Sequence, residues 1–269
     1  MRTRPFLKWP GGKTRLLPHL LPLFSEKTQL CEPFLGSGAV FLNTQYPHYR
    51  LNDKNKDLIT LYRVLQKNQE NFIDSVAGFF KSKFNESKQF YALREKFNAS
   101  RCDEERSRLF IYLNRHGFNG LCRYNQSGGL NVPFGSHDKP YFPEKEMRAF
   151  YQKAQQAEFT CEDFEVVLKN IRRQSVIYCD PPYVPLSASA NFTAYTQFGF
   201  SFQEQAKLAG RAKSLADKGH TVIISNHDND VTRQLYEGAK LIQISVPRLI
   251  GADASKRKAV NELIAVFGV

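Results

Sequence analysis

Residues 176–183 read Val-Ile-Tyr-Cys-Asp-Pro-Pro-Tyr, an apolar run that ends in a carboxylate, two prolines and a phenol. This ending suits methylation of a planar, nearly non-basic amino group such as the exocyclic nitrogen of adenine. That nitrogen shares its lone pair with the ring, so a strong base helps little. Two acceptors that grip both N–H bonds help more, because they draw the nitrogen toward tetrahedral geometry. Asp180 can supply one acceptor and the Pro181 carbonyl the other. Pro181 and Pro182 fix φ and aim that carbonyl, and Tyr183 can lie flat against the base. Asp-Pro-Pro is also an ordinary way to stop a strand and turn the chain, so the motif alone leaves both readings open.

A second set of residues suits a nucleoside ligand. Glu32-Pro-Phe-Leu-Gly-Ser-Gly38 follows an apolar segment, and Gly36 and Gly38 on either side of Ser37 let the backbone approach a ligand closely. A dinucleotide loop would want glycine at 41, which is Phe, so nothing here needs to cradle a pyrophosphate. Asp53 closes Tyr49-Arg-Leu-Asn-Asp, where a second strand would deliver a carboxylate to ribose hydroxyls; a tight turn with an exposed Asp is the plain alternative. Trp9-Pro-Gly-Gly-Lys13-Thr14 fails the Walker spacing because position 7 is Leu, which argues against an ATPase. The ring of Trp9 and the ammonium of Lys13 instead suit the purine and carboxylate of S-adenosylmethionine.

These groups need a scaffold, and the apolar runs describe one. Segments around Gln29–Phe34, Val176–Cys179, Thr221–Ser225, Leu241–Val246 and Glu262–Phe267 read as buried strands. Ser201-Phe-Gln-Glu204 is a capping box that opens a helix running to Leu215 and ended by Lys218-Gly219. Strand, helix and strand in that order predict a parallel α/β unit, with the last two strands as a closing antiparallel pair. From about Asp57 to Lys139 helical periodicity dominates, and Arg123–Val132, with its Ser-Gly-Gly core, predicts a β-hairpin. The expected organisation is a catalytic domain of residues 1–56 and 145–269 carrying a helical insertion of residues 57–144. No internal repeat is present.

Composition narrows the partners. In 269 residues Lys and Arg exceed Asp and Glu by 38 − 26 = 12, which points to a polyanion. Arg2, Arg4, Lys8, Lys13 and Arg15 cluster with no acid among the first 25 residues, and Arg248, Lys256, Arg257 and Lys258 form a second cluster. The five cysteines are scattered with no C-x-x-C pair, so no metal site is expected. There is no secretory signal and no apolar run of membrane-spanning length, so a cytoplasmic, nucleoid-associated protein without membrane or metal partners is expected. A monomer is expected in solution.

Five blocks in order carry a resemblance: Phe6-Leu-Lys-Trp-Pro-Gly-Gly-Lys13, Glu32–Gly38, Leu51-Asn-Asp53, Asn114-Arg-His-Gly-Phe-Asn-Gly-Leu-Cys-Arg-Tyr-Asn125 and Asp180-Pro-Pro-Tyr183, extended by Pro185–Tyr195. Together they resemble the Dam-type DNA adenine N6-methyltransferases, which act on GATC. The resemblance implies an α/β, Rossmann-like fold dependent on S-adenosylmethionine, with the insertion reading duplex DNA. It also implies that Trp9, Lys13, Asp53 and Asp180 contact the methyl donor or the base, and that the Glu32–Gly38 loop, with Phe34, Gly36, Ser37 and Gly38, sits under the methionine part. Family relatives often carry a phenol where Phe118 stands; Phe keeps the stacking surface and loses the hydroxyl.

The expected reaction is direct in-line transfer to an adenine rotated out of the duplex. Phe118 or Asn119 would fill the gap, Arg123 would make a bidentate contact to guanine, and Lys8 would make a second base contact. Arg94, Arg115 and Asn125 are expected phosphate clamps, and Leu121 and Pro133 complete the DNA-contacting set. Cytosine C5 chemistry is excluded because no Pro-Cys occurs; cytosine N4 enzymes more often begin this motif with Ser. Cys179 is read as a core thiol and His227 as a structural histidine. RNA adenine methylation and a non-enzymatic DNA binder are the alternatives. A part in replication and mismatch repair, in restriction-modification or in a phage stays open.

Overall fold

The computed structural model describes residues 2–135, 137–184, 200–247 and 259–268. The 185–195 block and Arg248, Lys256, Arg257 and Lys258 lie outside the described residues. Strands β1 (Gln29–Glu32), β2 (His48–Asn52), β3 (Ala157–Thr160), β4 (Ser175–Cys179), β5 (Thr221–His227), β6 (Lys240–Pro247) and β7 (Ala259–Phe267) form one mixed sheet. Its order is β3-β2-β1-β4-β5-β7-β6. The described helices are α1 (Leu17–Leu20), α2 (Lys56–Lys67), α3 (Gln69–Ala77), α4 (Ser87–Ala99), α5 (Asp103–His116), α6 (Glu144–Ala154), α7 (Phe164–Lys169), α8 (Phe202–Ala216) and α9 (Asp230–Leu235). The chain divides into two compact units, residues 1–19 with 35–162 and residues 20–34 with 163–269.

In the second unit β1, β4 and β5 run parallel and β7 runs antiparallel to both β5 and β6. β4 is buried along its whole length and β5 along all but its last residue, which is why both read as unbroken apolar runs. The closing β6–β7 pair is as expected, and β7 also lies beside β5, which leaves β6 at the edge. α8 opens with the Ser201–Glu204 capping box and buries Leu208, Ala209, Ala212 and Leu215 against Ile177, Val222 and Ile224. Cys179 lies in that core, fully enclosed, and burial pushes its thiol well above the ordinary range. A thiol in that state packs as a small apolar group.

Two registers matter for the chemistry. Cys179 is level with Ile224 in the β4–β5 ladder, so Asp180, the first residue after β4, stands beside Ser225, which is still within β5. In the β5–β7 ladder His227 is level with Glu262. The parallel strand ends are the usual ligand-binding edge of such a sheet.

The first unit pairs β2 with β3 in parallel, Asn52 level with Thr160. The Asn52 side chain locks that end, accepting from Thr160 Oγ1 (2.8 Å) and the Glu162 N–H (2.9 Å) and donating to the Glu162 carbonyl (3.1 Å). Tyr62 of α2 stacks on Phe150 of α6 (4.6 Å between centroids), with Phe6 edge-on to both and Phe159 of β3 stacked on Phe150 (6.0 Å). The helices after Asp57 therefore share a core with β3 and the N-terminal segment.

His116 ends α5 in this unit, fully buried. Its Nδ1–H donates to the Tyr112 carbonyl (3.0 Å), and its Nε2 has no hydrogen-bond partner among the described residues. Burial is the main reason its pKa is pushed down to about 4. An unfolded imidazole takes up a proton near pH 6.5, whereas the folded one resists until about pH 4. Below about pH 6.5 the unfolded chain thus binds the extra proton, and stability must fall across that window. We expect the melting temperature to drop between pH 6.5 and 4 more steeply in the parent than in His116→Gln. Parallel curves would contradict the assignment.

Candidate active site

The turn that follows β4 is held at each residue from Asp180 to Val184 except Pro181. Ser225 donates its hydroxyl to Asp180 Oδ1 (2.9 Å), and its oxygen lies 3.0 Å from the Tyr178 hydroxyl. A serine has one proton to give, and a carboxylate can only accept. The direction is therefore fixed: Tyr178 donates to Ser225 and Ser225 donates to Asp180. Tyr178 is buried, and desolvation, followed by the Asp180 charge, holds its phenol well above the ordinary range. The donor chain starts at a closed end, so it orients the carboxylate and offers no route for a departing proton.

The next residues are gripped as firmly. Gln205, fully buried on α8, donates to the Pro182 carbonyl (2.8 Å), which pins the turn one residue past Pro181. Tyr183 donates to Glu262 Oε2 (2.8 Å) and meets the His227 ring edge-on at 4.8 Å. Desolvation, then the Asp180 charge, raises its phenol as well. His227 Nδ1 donates to the Val184 carbonyl (2.7 Å). Asn226 accepts from the Val184 N–H (3.0 Å) and donates to Tyr236 (2.9 Å) and Gln205 (3.2 Å). His227 is thus a satisfied structural histidine in the described residues. Tyr178, Gln205 and Glu262 are the site residues that sequence reasoning did not assign. Ser225 and Asn226 reach the turn from within β5.

The nucleoside-type residues are arranged as follows. In the first unit Gly36, at φ 51°, donates its N–H to Asp53 Oδ2 (2.9 Å), and its carbonyl accepts from the Tyr62 hydroxyl (2.7 Å). A Cβ on Gly36 would stand 3.0 Å from Trp9 Nε1, so the bare glycine is what lets the indole settle there. Asp53 Oδ1 accepts from the Asn55 N–H (2.9 Å), and desolvation raises the Asp53 pKa against these two backbone bonds. Each carboxylate oxygen keeps further acceptor capacity, as ribose hydroxyls would require. Lys13 is buried and donates to the Gly11 carbonyl (2.7 Å); Ser37 is buried and Gly38 stands at φ 71°. In the second unit Glu32 is buried at the end of β1, and Phe34 packs between Phe164 and Phe200 at 5.5 Å from each. A glycine cradle under an indole and a carboxylate with spare acceptors fit S-adenosylmethionine.

The expected DNA-contacting residues all lie in the first unit. Phe118 is half exposed on a 3₁₀ turn and its N–H is bonded to the Pro133 carbonyl (3.0 Å); Asn119 beside it is left-handed at φ 51°. Asn114 accepts from the Lys8 N–H (2.9 Å) and donates to the Lys8 carbonyl (2.7 Å), so it pins the Lys8 main chain. Lys8 Nζ lies 3.2 Å from His137 Nε2, and desolvation, then Arg115, lowers its pKa. Leu121 is half-buried. The hairpin is short: Tyr124 bridges Leu130, with bonds from the Asn131 N–H to Arg123 (2.8 Å) and from the Asn125 N–H to Gly129 (2.9 Å). Arg123 is exposed and its Nε donates to the Asn131 carbonyl (3.0 Å). Asn125 is exposed and its side chain accepts from the Gly129 N–H (2.8 Å). Arg94 and Arg115 are drawn inward, donating to the Val132 (3.1 Å) and Tyr141 (3.0 Å) carbonyls.

Among the described residues no cluster of His, Cys, Asp and Glu is arranged to hold a metal, and no helix is long and apolar enough to cross a membrane.

Residues 9–249 match a family described as D12 class N6 adenine-specific DNA methyltransferase. The chain is 47% identical over 271 residues to the DNA adenine methylase of Haemophilus influenzae, covering 100% of this chain and 95% of the relative. It is 45% identical to the DNA adenine methylases of Vibrio cholerae and of Escherichia coli K12, over 99% of this chain and 96% of each relative.

Proposed function

The chain belongs to the D12 class N6 adenine-specific DNA methyltransferases, and from that premise we propose that it methylates adenine in duplex GATC after turning the base out of the stack. The enzyme acts on the N6 amine of adenine in DNA. The observation that carries the amine chemistry is the oriented carboxylate after β4: Asp180 held by Ser225, in a turn clamped by Gln205 one residue past Pro181. Bound S-adenosylmethionine supplies an electrophilic methyl group. Trp9, Lys13, Glu32, Phe34, Gly36, Ser37, Gly38, Asp53 and Asp180 are assigned to hold it.

Asp180 and Pro181 accept the two amine hydrogens and fix where the nitrogen lone pair points. Alignment of this kind, with acceptors aimed at developing positive charge, supplies most of the acceleration. Pro182 holds the turn. Tyr183, braced by Glu262 and His227, is assigned to pack on the flipped base. Phe118, half exposed, and Asn119 in a strained left-handed conformation support the wedge role. Lys8, Arg94, Arg115, Leu121, Asn125 and Pro133 complete the proposed contact surface.

GATC preference is tested by digesting methylated plasmid with GATC-cutting nucleases of different methylation sensitivity; full cutting by the methylation-blocked nuclease would refute it. Arg123 is assigned to guanine because Asn131 steadies its Nε while the terminal nitrogens make no hydrogen bond among the described residues. Arg123→Ala is expected to lose about 1–3 kcal/mol of discrimination against single-base variants of GATC. Unchanged ratios of kcat/KM across those sites would remove the role.

A further inference from the structure

The hairpin that carries Arg123 is held by more than its own turn. Tyr124, the next residue, donates its hydroxyl to Asp57 Oδ2 (2.7 Å). Asp57 Oδ1 accepts from Arg106 twice, through Nε (3.0 Å) and Nη2 (2.7 Å). The same guanidinium donates from Nη1 to the carbonyls of Phe97 (2.7 Å) and Ser100 (3.1 Å) and lies 4.2 Å from the centre of the Phe97 ring. Arg106 is thereby fixed to the end of α4, and it fixes Asp57 at the start of α2. Burial raises the Tyr124 phenol, so it stays a donor at any pH the enzyme works at. Across the hairpin, Asn98 of α4 accepts from the Leu130 N–H (2.8 Å) and donates to the Leu130 carbonyl (3.3 Å). Leu130 is the residue that bridges Tyr124. Both members of the bridge are therefore anchored to helices by side chains.

Resting on the reading of Arg123 given above, we propose that Tyr124, Asp57 and Arg106 are positioning residues for base discrimination. The phenol, carboxylate and guanidinium form one chain that holds the hairpin strand against α2. A bidentate contact to a base edge tolerates errors of only about 0.5 Å or 10–20°. The hairpin's own bonds keep it formed without Tyr124, but they do not fix its angle to the helices. Contacts to phosphate, which need only nearby positive charge, depend far less on that angle. Loss of the Tyr124 hydroxyl should therefore reduce selectivity more than affinity.

Tyr124→Phe removes one oxygen and keeps the ring. The readout is kcat/KM on a GATC duplex divided by kcat/KM on a duplex with one base changed, for the parent, Tyr124→Phe, Arg123→Ala and the double variant. The expected result is a loss of about tenfold in that ratio for Tyr124→Phe, with affinity for a duplex lacking GATC unchanged and the variant still fully folded at the assay temperature. Asp57→Asn, which keeps an acceptor oxygen for Tyr124, should retain part of the discrimination. The double variant should be no worse than Arg123→Ala, because both changes act on one contact. Parent-like discrimination in Tyr124→Phe, or fully additive losses in the double variant, would overturn the proposal. Should Arg123→Ala keep full discrimination while Tyr124→Phe loses it, the Arg123 reading falls and the positioning chain stands.

Discussion

Asp180→Ala is expected to lower kcat by about a thousandfold, roughly 4 kcal/mol, while donor affinity changes by less than about tenfold. The change removes an acceptor whose orientation the surrounding chain is built to hold. Tyr178 donates to Ser225 and Ser225 donates to Asp180, so both hydroxyl protons are directed toward it. Asp180→Asn should recover little. Its amide can turn N–H bonds toward the amine, where they oppose it, and Ser225 can then satisfy only the oxygen side. Ser225→Ala leaves the carboxylate and removes its brace, so a loss of about tenfold is expected, in kcat rather than in KM. Single-turnover methyl transfer on a short GATC duplex measures all three. Near-parent turnover by Asp180→Ala would refute the catalytic assignment.

Gly120→Ala should cost more stability than any exposed substitution in the first unit, about 2–4 kcal/mol, and should abolish most DNA methylation. Gly120 stands at φ 64°, where an L side chain is strained, and its Cβ would fall 2.1 Å from Lys8 Cβ. Lys8 cannot retreat easily, because Asn114 holds its N–H and its carbonyl at 2.9 and 2.7 Å. Displacing either strand of this contact moves Lys8 and the Phe118–Asn119 turn together. Gly128→Ala is the control. It has a similar φ of 77° with nothing within 4 Å of the added methyl, so only the backbone strain of about 1–2 kcal/mol remains. Urea midpoints for both variants separate collision from strain; equal losses would show that the approach to Lys8 carries no weight.

Much of the scaffold was legible because local rules wrote it. β4 and β5 are buried on both faces and so read as unbroken apolar runs, and Ser201 and Glu204 announce α8 from three residues apart. β3 was not foreseen. Ala157-Glu-Phe-Thr160 is an edge strand in which one residue of four is buried, so no alternation stands out. The β6–β7 pair was visible as two late apolar runs, yet only pairing could place β7 beside β5 and leave β6 outside.

The site divides in the same way. Asp180-Pro-Pro-Tyr183, the glycine turn, Trp9 and the Arg123 hairpin were named from residue types because their chemistry lies within a few consecutive positions. The partners that orient them come from far along the chain: Ser225 is 45 residues from Asp180, Asp57 is 67 from Tyr124, and Asn114 is 106 from Lys8. Such pairs leave no local trace, since a serine or an asparagine is equally at home on a surface. Sequence alone determined which groups could do the reaction and which segments would carry them. Strand register and helix packing decided which distant donors meet those groups, because hydrogen bonds of about 3 Å depend on where elements dock rather than on what their neighbours are.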